Sequence, residues 1–240
     1  MSIRISVYLF AVIFFLSFTC RIFATSSNDS FYELHSGERQ KIMEKMKSLQ
    51  KNIHAISASV IQEKKLSALK KKVTIEGTVT MSKPNMIRWD ITKPEKSLTV
   101  IDGETMTVYH PEVKEAQIYN ISENFIASNT MSFFATAMGG DLSEMEKKFI
   151  VNVFQKDEEI IFKLVPLSKI AGRYLSSIMI YYDERSGLPK GFDVTTPKGD
   201  RTIIRLSNIK INPELKSDAF TIRLPSDVWI TNKSEEHINN

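Results

Sequence analysis

The chain has 240 residues and a formal net charge of +4, a balance too near neutral to point to nucleic acid. Apolar side chains make up 42% of it, enough for one domain with its own core, and no internal repeat or linker divides it. One cysteine, Cys20, and four scattered histidines (His35, His54, His110, His237) give no disulfide framework and no metal-ligand spacing.

The amino terminus reads as a secretory signal. Arg4 precedes an apolar run from Ile5 to Phe18, and Ile22-Phe23-Ala24 ends in a small residue. The run is about 14 residues, short of the ~20 that a spanning helix needs. Cleavage is expected after Ala24, which removes Cys20 together with Arg4 and Arg21 and excludes thiol chemistry from the mature chain. Two alternatives stay open. Arg21 and Ile22 make an imperfect cleavage site, which would suit an uncleaved anchor, and Cys20 is a lipidation candidate, although Phe18-Thr19 lacks the small residue usual before such a cysteine. The expected division is a signal peptide over 1–24 and a single domain over 25–240, with a polar tail from about 231.

Thr25 to Tyr32 is polar and loose. Ser36 is placed to cap a helix in which Ile42, Met43, Met46, Leu49 and Ile53 form an apolar stripe, with Lys41, Glu44, Lys45, Lys47 and Lys51 on the other face. That stripe fits either a surface helix over a core or a cover over a cavity. Ala55 to Leu66 reads as the first strand, and Lys64-Lys65 and Lys70-Lys71-Lys72 flank a turn, as a solvated loop or as a docking patch for an anionic surface.

From Val73 to Ile121 apolar and polar residues alternate. Val73, Ile75, Val79 and Met81 share one parity; Ile87, Trp89 and Ile91 the next; then Met106 and Val108, and Ala116 and Ile118. Period two means one apolar face and one wet face. Lys83-Pro84-Asn85, Lys93-Pro94, Asp102-Gly103 and His110-Pro111 punctuate the runs, and Asp-Gly between short strands signals a two-residue hairpin. The block predicts about five antiparallel strands in a meander.

The period then changes. Asn129-Thr130 precedes Met131, Phe133, Phe134, Ala135, Ala137 and Met138, Gly139-Gly140 stops the run, and Asp141 to Glu144 is a capping box for a second short helix. A helix apolar nearly all round must be covered on more than one side, and its methionines suit varied apolar shapes. Strands resume at Val151–Phe154, Ile160–Val165, Leu175–Tyr182, Gly191–Thr195, Thr202–Ile211 and Phe220–Leu224. No nucleophile elbow, phosphate loop or dinucleotide fingerprint is present. Asp90 falls on the wet face beside Trp89, which serves as core or as cavity wall.

Three stretches carry a resemblance. GTVTMSKPNMIRW (Gly77 to Trp89), VIDGETMTVYHP (Val100 to Pro111) and FTIRLPSDVWI (Phe220 to Ile230) resemble the periplasmic lipoprotein carrier family (LolA). Its members have a similar G-x-x-x-x-x-R-P-x-x-x-R-W, then a DG hairpin leading into Y-x-P, and the resemblance covers most of the chain beyond Ala24. It implies a mainly β fold, a curved antiparallel sheet of about 11 strands that forms an incomplete β-barrel covered by short α-helices. Ile87, Trp89 and Ile91 would line a hydrophobic cavity, and Met43, Met46, Met131, Phe133, Phe134 and Met138 would face it from the lid. The implied protein is no enzyme, carries no catalytic residue, cofactor or metal, and works in the periplasm as a monomer that binds no nucleic acid. Its implied partners are acylated lipoproteins, an inner-membrane ABC-type lipoprotein-releasing transporter and an outer-membrane lipoprotein receptor. In the family an arginine before the proline fastens the closed lid through its backbone carbonyls; this chain departs from that with Lys83, a latch candidate or a solvated turn lysine. A lipoprotein-sensing envelope regulator and a carrier of a specialised glycolipid share the implied fold. An enzyme acting on a lipid or glycan is disfavoured by the missing site.

Overall fold

Two antiparallel meanders meet at one long seam. The computed structural model describes residues 31–67, 72–123, 137 and 142–233. The first meander is β2 (Ala55–Lys65), β3 (Lys72–Ser82), β4 (Met86–Lys93), β5 (Ser97–Ile101), β6 (Thr105–His110) and β7 (Glu115–Asn120). The second is β8 (Phe149–Lys156), β9 (Glu159–Pro166), β10 (Ser177–Asp183), β11 (Pro189–Thr195) and β12 (Arg201–Ile211). β12 pairs antiparallel with β2, from Arg201 opposite Lys65 to Ile211 opposite Ile56, and fuses the meanders into one 13-stranded sheet. Two short strands finish it. β1 (Tyr32–Glu33) adds to β8 at one end, and β13 (Trp229–Lys233) adds in parallel to β7 at the other. Those ends do not meet, so the barrel is incomplete.

The described helices are α1 (Ser36–Gln50), α2 (Leu142–Lys148) and the single turn α3 (Lys169–Gly172). The first two send Met46 and Met145 into the buried interior of the curl. α1 starts one residue earlier than a Ser36 cap would place it: His35 is the cap, and its backbone N–H donates to Glu38 Oε2 at 3.3 Å. Glu38 in the first turn and Lys47 in the last match the helix dipole.

Local chemistry sets the hairpins. Between β5 and β6, Asp102 Oδ1 accepts the N–H groups of Glu104 (2.9 Å) and Thr105 (2.8 Å), and Gly103 takes φ 106°. The β3–β4 turn is tied to that one, since Asn85 Nδ2 donates to Gly103 O at 3.3 Å. Gly77 sits where the β3–β4 register shifts, and a Cβ there would stand 2.1 Å from Asp90 O. The glycine that opens the family pattern is required by close backbone approach.

Three sequence expectations are corrected. Phe220–Leu224 is not a strand but irregular chain, and β1 and β13 bring the strand total among the described residues to thirteen. Thr231–Lys233 belongs to β13 rather than to a polar tail. The meander also does not keep one wet face. Ala116 pairs with Tyr109 and Ile118 with Thr107, on the face opposite Met106 and Val108. Val100, Thr107 and Ala116 are buried on that outer face. Residues of the stretch 214–223 face it across a cleft, and they bring Leu215 and Ile222 to that face, which no local periodicity encodes. Arg88 grips Asp90 through Nε and Nη2 (2.8 and 3.0 Å) and donates from Nη1 to Ala219 O at 3.4 Å. Between segment and sheet is a cleft of ≈ 530 Å³ lined by Thr80, Arg88, Leu98, Tyr109, Leu215 and Ile222 among others.

Candidate functional site

The inner face is apolar over most of both meanders. Pairing puts Ile56, Ala58 and Val60 of β2 beside Met81, Val79 and Gly77 of β3, and Met81 and Val79 beside Ile87 and Trp89 of β4. Across the seam, Ile204 meets Phe192, which meets Ile180, which meets Phe162. These apolar side chains join a single buried cluster with Met46 of α1, Met145 of α2 and Ala137. Strands from both meanders can share one cluster with a helix only if the sheet curls around it. Ile87, Trp89 and Ile91 are each no more than 4% exposed, so the inner face is packed shut.

The sequence-predicted residues divide accordingly. Ile87, Trp89 and Ile91 share the inner face of β4; Met46 is buried with them in the cluster, and Met43 packs half-buried at its margin. Met131, Phe133, Phe134 and Met138 lie outside the described residues, as does the signal segment.

The cover is fastened by polar contacts at its rim. Lys83 Nζ donates to Gln50 O, the last carbonyl of α1, at 3.3 Å, and the Lys83 N–H donates to His54 O at 2.8 Å. Burial pushes the Lys83 ammonium pKa below its ordinary value. Gln50 Nε2 donates to Gly187 O at 2.7 Å, Lys45 pairs with Glu184 at 2.8 Å, and Arg39 of α1 pairs with Glu146 of α2. Beneath, the Tyr182 hydroxyl donates to Ala137 O at 2.9 Å, its ring tilted against Phe162. Desolvation pushes that phenol pKa far up, so the hydroxyl stays a donor.

Sequence reasoning missed Tyr182, Gln50 and Gln62, and it gave Lys64 to a solvated loop or a docking patch, whereas Lys64 lies in β2. Tyr182 and Gln50 are single polar groups in ordinary patterns, with no local signal of a role. Gln62 and Lys64 had one: they continue the parity of Ile56, Ala58 and Val60, so both fall on the inner face. Gln62 is buried, and its Oε1 lacks any hydrogen-bond partner among the described residues; the Thr99 hydroxyl beside Trp89 is likewise orphaned. Burial lowers the Lys64 pKa, which favours its uncharged form relative to an exposed lysine. Among the described residues, no group of three His, Cys, Asp or Glu side chains could hold a metal ion.

An open antiparallel sheet curled round an apolar interior and covered by helices defines a lidded half-barrel. The chain belongs to the family described as outer membrane lipoprotein carrier protein LolA, which it matches over residues 51–223. It is 26% identical over 157 residues to an outer-membrane lipoprotein carrier protein of Vibrio campbellii, spanning 65% of this chain and 68% of that one. A carrier protein of the same description from Pseudomonas putida is 24% identical over 149 residues, 62% and 68% of the two chains. In fold it is similar to an uncharacterized conserved protein from Thermus thermophilus, with a TM-score of 0.50, 14% identity, and coverage of 82% of this chain and 99% of that chain.

Proposed function

We propose that this protein is a soluble periplasmic carrier that takes up the acyl chains of lipoproteins and moves them from the inner to the outer membrane. The observation that carries the reading is the inner face itself. It is apolar over most of both meanders, yet its cover among the described residues is two short helices held at the rim by a handful of polar contacts. Acyl chains entering there would exchange contact with α1 for contact with lipid, at similar apolar area buried. Opening then costs little more than the rim contacts, and closure after delivery hides the apolar wall from water. In this reading the carrier acts as a monomer, receiving cargo from an ABC-type releasing transporter and surrendering it to an outer-membrane receptor. Family membership supports the cargo class, and the predicted signal segment supports export.

The test adds purified protein to inner-membrane vesicles that carry a labelled lipoprotein and an active releasing transporter. The expected result is a soluble complex of equal stoichiometry with acyl chains bound, seen by native mass spectrometry. Lipoprotein that stays in the membrane fraction, with no acyl ligand on the protein, would overturn the proposal.

A further inference from the structure

Gln62 stands in a place that its chemistry does not suit. It is 2% exposed, on the inner face of β2, with Ile75 opposite on β3 and Ile204 opposite on β12. Val60, one pleat away, is also 2% exposed, and both cross-strand neighbours are fully buried. Among the described residues, the Gln62 carboxamide oxygen has no donor within reach. A buried acceptor without a partner is a net loss to folding, whereas leucine of similar size would pack there without it. A polar group held in this way calls for a partner that the described residues do not supply.

What arrives can be read from the two ways an acyl chain is attached. An ester offers only acceptors, so it can meet the carboxamide NH₂ but leaves Oε1 orphaned. An amide offers one N–H and one C=O, and satisfies both ends of a carboxamide at once. We propose that Gln62 is a specificity residue inside the cavity, which recognises the amide of an N-acylated ligand and favours it over ester-linked chains. This rests on the acyl-carrier reading above and narrows its ligand class. Lys64, two residues on along the same face of the strand, lies on the side of Gln62 nearer the β2–β3 turn. The polar end of the ligand would therefore lie toward that turn, and its hydrocarbon toward Val60, Val79 and Trp89.

The experiment uses a matched pair of probes, N-palmitoylglycine methyl ester and the isostere in which the N–H is replaced by oxygen. Each displaces a fluorescent apolar dye from the full chain, and Gln62→Leu and Gln62→Met are measured beside the wild type. One neutral hydrogen bond predicts that the wild type binds the amide about threefold to tenfold more tightly than the ester. Both variants should bind the two probes equally and melt about 2–4 °C higher because the orphan is gone. Equal binding of both probes by the wild type, or a preference that survives in the variants, overturns the role of Gln62 while leaving the carrier reading intact. A wild type that binds neither probe overturns the acyl-carrier reading and this one with it.

Discussion

Lys83 was legible as a departure from a pattern, and its surroundings now give the departure a mechanical meaning. Its ammonium reaches the last carbonyl of α1, so the residue that replaces an arginine still touches the cover. Arginine presents a rigid planar fork, whereas lysine is a flexible and strongly hydrated point charge. Lys83→Arg should therefore hold the closed state more firmly, and Lys83→Leu should release it. A contact of this kind at a half-exposed rim is worth about 1 kcal/mol, a factor of about five in the opening equilibrium. Uptake of a fluorescent apolar probe should be slower in Lys83→Arg and faster in Lys83→Leu by that order. Equal rates in all three proteins would mean that apolar contact alone keeps α1 in place. The neighbouring contacts could not be read in the same way. Gln50 and Gly187 are 137 positions apart, and only the curl of the sheet brings the amide to that carbonyl.

At the scale of elements, the local signals held wherever a turn or a strand depends on its own residues. Asp102-Gly103 makes its hairpin, the β4 alternation puts Ile87, Trp89 and Ile91 inward, and Asp90 falls outward onto Arg88. The failures share one cause, an interaction supplied from far along the chain. Tyr32–Glu33 becomes a strand because β8 offers it an edge, and Val100 and Ala116 are buried outward on the face to which residues of the stretch 214–223 return. Gly77 shows the opposite case, a demand visible locally as a pattern but explained only by its partner strand. Gly77→Ala should force β3 and β4 apart at Asp90 O and cost about 1–3 kcal/mol. Gly172→Ala is the control, since a Cβ there meets nothing within 4 Å in a helical turn, and it should be neutral or stabilising. Thermal melts of the two variants check this. A Gly77→Ala protein as stable as the wild type would show that the β3–β4 shift relaxes freely.

The whole molecule depends on the seam. Each meander is built from neighbours in sequence, but β2 and β12 are joined across most of the chain. Contacts of that sequence separation slow folding, because the intervening loop must be closed before they stabilise anything. If the meanders form first and the seam closes last, Ile87→Val inside the first meander should slow refolding, while Ile204→Val at the seam should mainly speed unfolding. Each change costs about 0.5–1.5 kcal/mol, enough for the two limbs to be separated in denaturant-jump kinetics. If both variants alter the same limb equally, the meanders do not form before they join.

The same seam has a consequence for the chain as it is being made. β12 is among the last strands to be synthesised, so the first meander must wait with β2 as a bare edge. A waiting strand edge with Ile61 on it is an invitation to pair with another copy. Lys64 and Lys65 put two positive charges at one end of that edge, facing Lys72 and Val73 across the turn. Charged side chains, lysine above all, make a strand edge a poor template for another chain, so the lysines that close this strand guard the protein through its longest unprotected interval.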